Sequence, residues 1–396
     1  MELLSPAGNF SKLKTALLYG ADAVYFGGDF SLRAKAGNFT PAELEKALRY
    51  LHERGKKGYL TLNIFPSEPE LKNIATYLKE IAPLGADGVI VADMGVFAIV
   101  KKELPDCPVF ISTQANVTNS GAARLWSELG AKRVILARET SRTALREIIK
   151  KSPCEIEVFV HGAICISYSG RCLMSAYLAG RAANSGECAQ SCRWKYIAEL
   201  TRPDEFLKID EDERGTYLYN AKDLCLIKRI GELSEMGAAS VKIEGRMKSE
   251  LYTAVTAAVY RQAVDSALTR FAYNPEWEEK LKSISNRDYT EGFYADTPDS
   301  AAMNHNTSSY IRKTELVGVI EKQTSAGAEI TCRARIDSGD RISVLTLAGD
   351  DIGITAEIVY GNKNPAYAQN GEYVEIAMHG VPVTEGMIIR REARSK

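Results

Sequence analysis

Little in these 396 residues is one-sided. Lys and Arg total 50 and Asp and Glu 51, a net charge of −1. Such a balance gives no global field for nucleic acid, so RNA binding would need local patches. No apolar run approaches the length of a membrane span, so no membrane partner is expected. The opening MELLSPAGNF lacks the basic-then-apolar pattern of a signal peptide. The expectation is a cytoplasmic protein whose thiols stay reduced. Histidine is scarce, with only His52, His161, His305 and His379. No HExxH, GxSxG or Cys–His signature is present, so hydrolytic chemistry has little to stand on. The paired CxxC knuckles of zinc ribbons are missing too.

What is present is a repeat. Leu18-Tyr19-Gly20-Ala21-Asp22-Ala23-Val24-Tyr25-Phe26 returns as Leu84-Gly85-Ala86-Asp87-Gly88-Val89-Ile90-Val91, then from Leu129 to Glu139 and from Met236 to Arg246. Each reads as a helix end, a glycine suited to a left-handed cap, a short link and an apolar strand. Further strand-like runs lie at Glu2–Ser5, Tyr59–Asn63, Val109–Thr113 and Ile156–Val160. Helix-patterned segments such as Pro41–Arg54, Glu70–Ile81 and Thr140–Lys151 separate them. Eight strands alternating with helices in about 250 residues predict an α/β fold, a (β/α)8 TIM-like barrel, over an open doubly wound sheet. From Leu316 the period changes to two, with turn signals between runs, predicting a small C-terminal antiparallel β-barrel. The expected division is a barrel over 1–270 with a cysteine-rich insertion at 161–235, a connector at 271–312 and the β-barrel domain at 313–396.

In a barrel, chemistry belongs at the C-terminal ends of the strands. Reading the last residues of each strand yields Ser5, Asn63, Asp93, Gln114, Asn116, Arg138, Glu139, His161, Glu244 and Arg246, around a centre expected to be apolar. His161, Glu139, Glu244 and Gln114 are the catalytic candidates. Arg138, Arg246, Asn63 and Asn116 are the substrate-binding ones. Arg138 and Arg246 suit bidentate pairing with a dicarboxylate, or equally salt bridges to Glu139 and Glu244.

The rhythm breaks once, between strands seven and eight, where Cys165, Cys172, Cys188 and Cys192 occur in a Gly-, Ser- and Arg-rich stretch and Cys225 follows. Thiolates at such irregular spacing suit an iron–sulfur cluster gathered from several loops, with zinc as the alternative. Neighbouring Arg171, Arg181, Arg193 and Lys195 favour the thiolate form. Five cysteines exceed four ligands, and Cys192 is the one to omit. Cys107, Cys154 and Cys332 read as small buried hydrophobes. A Cys165–His161 nucleophile pair also remains open. Between Cys165 and Arg202, five basic residues and Tyr168, Tyr177, Trp194 and Tyr196 are interleaved, as single-stranded RNA recognition needs. A solvated insertion with core aromatics reads equally well.

Glu157, Phe159, Gly162, Ala163, Ile164, Cys165, Gly170, Cys172, Met174 and Ser175 fill without a gap a pattern that resembles the signature of the peptidase U32 (collagenase-like) family. Glu2–Gly8, Asn220–Cys225 and Arg287–Phe293 also look like that family, so the resemblance spans essentially the whole chain. It implies one of two activities: peptidase chemistry, as the family name says, or oxygen-independent hydroxylation, in some members prephenate-dependent. By the Cys188-Ala189-Gln190-Ser191-Cys192-Arg193-Trp194 phrase the chain resembles most the tRNA-hydroxylating members, which make 5-hydroxyuridine at the wobble position. Carried over, the resemblance implies a [4Fe-4S] cluster on Cys165, Cys172, Cys188 and Cys225, with prephenate as co-substrate and tRNA as partner. Cys192 departs from the pattern of the quinone-pathway members, which leaves the third ligand open. A homo-oligomer, or a hetero-oligomer with another family member, is a further expectation. The remaining alternative is an RNA-binding module with structural zinc.

Overall fold

The computed structural model describes the chain except residues 32–37, 166, 169–170, 180–188, 190, 194–209, 213–214, 218–220, 296–309, 326, 361–365 and 395–396. Seven parallel strands come first: β1 (Glu2–Pro6), β2 (Ala23–Gly27), β3 (Lys57–Leu62), β4 (Gly88–Val91), β5 (Val109–Ile111), β6 (Arg133–Ile135) and β7 (Glu155–Ala163). After the insertion come β8 (Asp223–Cys225) and β9 (Ser240–Ile243). Each of β1 to β7 pairs with the next, and β9 pairs in parallel with both β7 and β1. The ring of eight parallel strands therefore closes, as the repeat predicted. The repeat works through its glycines: Gly20, Gly85, Gly130 and Gly237 all take positive φ, from 68° to 104°. Each ends a helical turn there and releases the chain into the next strand.

Helices start where the side chains cap them. Thr40 and Glu43 form a reciprocal capping box, with Pro41 opening the helix Pro41–His52. Ser249 accepts from the Tyr252 amide to start Glu250–Ser266, a helix buried along nearly its whole length. That helix packs on β1 and also on strands of the C-terminal unit, so it joins the two halves.

Two features depart from expectation. The barrel centre is not apolar. Arg133 of β6 reaches Glu2 of β1 at 2.6 Å, Glu157 at 2.9 Å and Glu155 at 2.8 Å, while Lys242 of β9 reaches Glu157 at 3.1 Å. Because β1 and β6 are not neighbours in the ring, the Arg133–Glu2 contact crosses the lumen. Tyr59 donates to Glu2 at 2.7 Å, and the cations lie against the Phe110 and Tyr25 rings. Glu157 has no exposed surface. It survives as a buried charge only because two cations hold it.

The second departure concerns β7, which does not stop with the strand-like run at Val160 but continues to Ala163. Its last residues pair antiparallel with β8, in the register Ala163 to Asp223, Gly162 to Leu224 and His161 to Cys225. Beyond β8 lies β10 (Tyr289–Thr290), in parallel. Gly162 sits at φ 106°, and a Cβ there would stand 2.5 Å from the Glu244 carbonyl oxygen. Only glycine fits that close approach.

Residues 271–295 contribute a helix, Pro275–Ser283, whose Trp277 and Leu281 are buried in the barrel's own core. The C-terminal unit is a seven-stranded antiparallel sheet with a separate apolar core. Its edge strands, Asp351–Thr355 and Ile358–Tyr360, are joined by only Ala356 and Glu357, so the sheet must curl until its edges meet. One of its strands, Ile388–Glu392, carries no alternation in the sequence, and Asp351–Thr355 alternates about a central glycine. The basic C-terminal end is not a free cationic patch: Arg390 pairs with Asp351, and Arg391 with Glu315 and Asp340.

Candidate active site

At the C-terminal ends of the strands the expected polar ring is present, largely tied together in pairs. Asn63 donates to Gln114 at 2.6 Å across the mouth. Arg138 pairs with Glu244 at 3.4 Å and lies 4.0 Å over the Phe159 ring. This is one of the salt bridges expected for Arg138 and Arg246. Tyr25 donates to the Ile243 carbonyl at 3.0 Å and lies 3.4 Å from the Glu244 carboxylate. Arg246 is buried and donates to Ser31 at 2.8 Å and Thr61 at 3.3 Å. Glu139 is half-buried just after β6. Asn116 takes a left-handed conformation, φ 58°, that caps a short 3-10 turn.

Several buried polar atoms at these strand ends have no hydrogen-bond partner among the described residues: Ser5 Oγ, Asn116 Oδ1, Thr140 Oγ1 and His161 Nε2. A buried polar atom left unpaired costs about 1–3 kcal/mol. Four of them around one barrel mouth suit a face that meets a polar ligand or ordered water.

His161 is the most constrained of the candidates. The rings of Tyr252, Tyr260 and Tyr289 stand 5.2 to 5.8 Å from its own, and its Nδ1 is 3.3 Å from the Tyr260 hydroxyl. The Tyr260 hydroxyl donates to the Val160 carbonyl at 2.8 Å. With its proton spent there, Tyr260 accepts from Nδ1–H, which leaves Nε2 as the lone-pair nitrogen. Burial pushes the imidazole pKa down to about 3, helped by the Lys248 ammonium. His161 is therefore neutral near pH 7.

A cavity of about 790 Å³ opens between the barrel face and the C-terminal sheet. It brings together Arg138, Glu244 and Cys165 from the candidate set, with Cys192, the cysteine omitted from it. It also gathers residues that sequence reasoning missed: Lys12, Lys248, Arg287, Tyr310, Arg312 and Arg333. Tyr310 is flanked by the Lys248 ammonium at 3.9 Å and the Arg287 guanidinium at 4.0 Å. Arg287 is buried and lies 3.6 Å from buried Asp223 of β8. Strands β8 and β10, from the Asn220–Cys225 and Arg287–Phe293 phrases, thus adjoin, and Arg287 is among the cavity's lining residues. The family resemblance of both phrases was the sequence signal that pointed there.

The cysteines differ in their surroundings. Cys165 is exposed, Cys172 and Cys192 are half-buried, and Cys188 lies outside the described residues. Cys225 is buried beside the Tyr260 hydroxyl at 3.8 Å, and burial pushes its thiol up to about 11. It pairs with His161 in register, four residues before Cys165 along the chain. Among the described residues, no three His, Cys, Asp or Glu side chains converge to hold a metal ion. The described thiols therefore do not by themselves form a cluster seat. The aromatic part of the basic insertion is described only at Tyr168 and Tyr177, both exposed; Arg181, Trp194, Lys195 and Tyr196 lie outside the described residues. No helix among the described residues is long and apolar enough to cross a membrane.

A family model described as Peptidase family U32 matches residues 8–304. The chain is 35% identical to tRNA hydroxylation protein P of Escherichia coli (strain K12), over 92% of this chain and 90% of that protein. It is 30% identical to the 23S rRNA 5-hydroxycytidine C2501 synthase of the same organism, over 91% of this chain and 54% of that protein. It is also 31% identical to a collagenase of Porphyromonas gingivalis, over 74% of this chain and 73% of that protein.

Proposed function

The chain belongs to peptidase family U32, and from that premise we propose that it is an enzyme that hydroxylates an RNA base, the wobble uridine of tRNA. The observation that carries this reading is the cavity at the strand ends, where six basic side chains and three acidic ones meet. A polyanion with a polar base to be positioned is the kind of substrate that such a lining suits. Relatives named for tRNA hydroxylation and for hydroxycytidine synthesis in rRNA support it.

The peptidase reading is weaker on physical grounds. A Cys–His pair needs a histidine that takes a proton near neutral pH. His161 is held near 3 by burial, and its Nδ1 is engaged by Tyr260. The Cys225 thiol is pushed up, opposite to an activated nucleophile.

Within this proposal, Arg138 orients an anionic group at the cavity wall with Glu244 as its counter-charge, and prephenate is the candidate co-substrate. Asn63 and Gln114 offer amide groups to a base edge. A [4Fe-4S] cluster would supply electron transfer, with Cys165, Cys172, Cys188 and Cys225 as expected ligands. Since three of these do not converge among the described residues, no step of the reaction is routed through it. Zinc is the alternative at the same thiols.

The test is deletion of the gene in its own host, followed by nucleoside mass spectrometry of the tRNA. Loss of wobble 5-hydroxyuridine supports the assignment, and an unchanged level in a host without a redundant copy removes it. Anaerobic purification with iron, sulfide and zinc analysis tests the cluster: a colourless, iron-free protein after reconstitution would remove that part alone.

A further inference from the structure

We propose that the seam between barrel and C-terminal sheet seats backbone phosphates of the substrate RNA, with Arg312 and Arg333 as the side chains that bind them. This rests on the RNA reading above and gives the C-terminal sheet a part in substrate binding.

The argument starts from charge. Among the described residues the cavity is lined by Lys12, Arg138, Lys248, Arg287, Arg312 and Arg333, and by three acids, Glu244, Glu250 and Glu315. Each acid is already answered. Glu244 pairs with Arg138 at 3.4 Å and Glu250 with Arg333 at 3.4 Å. Glu315 is held at 2.6 Å by Arg391, which does not line the cavity. From outside the lining, Arg391 neutralises Glu315 and Asp223 neutralises Arg287, and the wall is left with a net positive charge.

The excess is unevenly placed. Arg312 is exposed and makes no ion pair or hydrogen bond with any described residue. Arg333, about one-third exposed, has its Glu250 contact at the long end of pairing distance. Lys12 donates to the Arg246 carbonyl at 3.3 Å, and burial lowers its pKa despite nearby Glu250. Its ammonium is thus kept in the seam at a desolvation cost that an entering anion would offset.

Lys12, Arg312 and Arg333 come from three separate parts of the chain: the helix Phe10–Leu18, the segment before the C-terminal sheet, and the loop that follows its strand Gly327–Cys332. A single small carboxylate is usually gripped by a convergent fork. Cations spread along a seam suit the spaced charges of a phosphodiester run. Elsewhere on the C-terminal sheet the strongest basic cluster is cancelled, since Arg390, Arg391 and Arg394 all pair with Asp or Glu. At the seam, Arg312 and Arg333 keep positive charge available.

The experiment measures binding of a fluorescent tRNA anticodon stem–loop to the full chain at several salt concentrations. Arg312→Ala and Arg333→Ala are each expected to weaken binding roughly 3- to 10-fold near 0.1 M salt. Each should also reduce the slope of log K against log salt by about 0.7–1. Arg312→Lys should recover most of the loss, and Arg312→Ala should leave the thermal midpoint unchanged. Wild-type affinity and slope in both alanine variants would overturn the seam proposal while leaving RNA binding intact. Failure of the wild-type chain to bind the stem–loop would overturn the RNA reading itself, and the seam with it. A third arm titrates malonate: malonate binding that both variants lose, with RNA affinity unchanged, would assign the seam to a small carboxylate and overturn the phosphate assignment.

Discussion

His161 and Cys225 face each other across the antiparallel end of β7, and the Tyr260 hydroxyl touches both, 3.3 Å from Nδ1 and 3.8 Å from Sγ. Both side chains are at most 9% exposed. With its thiol pushed up to about 11, only about one Cys225 in three thousand is thiolate at pH 7.5. In metal-free native protein, iodoacetamide should therefore label exposed Cys165 well before Cys225. Peptide mapping by mass spectrometry reads this directly, and Cys225 labelling as fast as Cys165 would contradict the burial described.

The same pocket makes stability depend on pH. His161 has a folded pKa of about 3, below the ordinary 6.5. Above 6.5 the imidazole is neutral in both states. As pH falls from 6.5 towards 3, only the unfolded chain takes up the proton, so the folded state loses up to about 1.4 kcal/mol per pH unit. Urea unfolding at pH 7 and pH 5 should show wild type losing about 2 kcal/mol more than His161→Phe. Equal losses would mean that the ring is not held neutral.

Arg133 is the cation on which three carboxylates of the barrel interior converge. Removing it leaves Glu157 with Lys242 alone and Glu2 with the Tyr59 hydroxyl. Arg133→Ala should cost about 3–5 kcal/mol, the usual effect of breaking a buried pair. A loss below about 1 kcal/mol in denaturant unfolding would show that the lumen network is dispensable.

Tyr19 joins the two units: its hydroxyl donates to the Leu345 carbonyl at 2.8 Å and accepts from the Ile388 amide at 3.2 Å. Tyr19→Phe strands both backbone groups in a buried interface. The expected cost is about 1–3 kcal/mol. Faster amide hydrogen exchange should appear at Ile388, and unchanged exchange there would indicate that the sheet docks without this contact.

The barrel was legible because its signal is local and repeated. Leu-Gly-Ala before an apolar run marks a left-handed cap and a strand, and Gly20, Gly85, Gly130 and Gly237 all adopt that conformation. The ring of polar residues at the strand ends follows once the strands are known. What stayed hidden depends on distant contacts. Strands of two or three residues, such as Asp223–Cys225 and Tyr289–Thr290, carry no period. Arg133 and Lys242 look like ordinary strand polar residues until the ring closes and brings Glu2 and Glu157 to them. Lys12, Arg287, Arg312 and Arg333 meet only because Glu250–Ser266 and Tyr19 hold the C-terminal sheet on the barrel. His161 stood out as the one histidine at a strand end beside cysteines, a pattern that does not reveal three tyrosines closing around it.

The central claim is that this chain adds a hydroxyl to an RNA base. Expressing it in cells that lack wobble 5-hydroxyuridine, and weighing the nucleosides of purified tRNA, tests that claim most directly. The account predicts a uridine heavier by one oxygen with the wild-type chain, and much less of it with Cys165→Ser or Arg138→Ala. Unmodified uridine in every sample, with the wild-type chain folded and abundant, would contradict it.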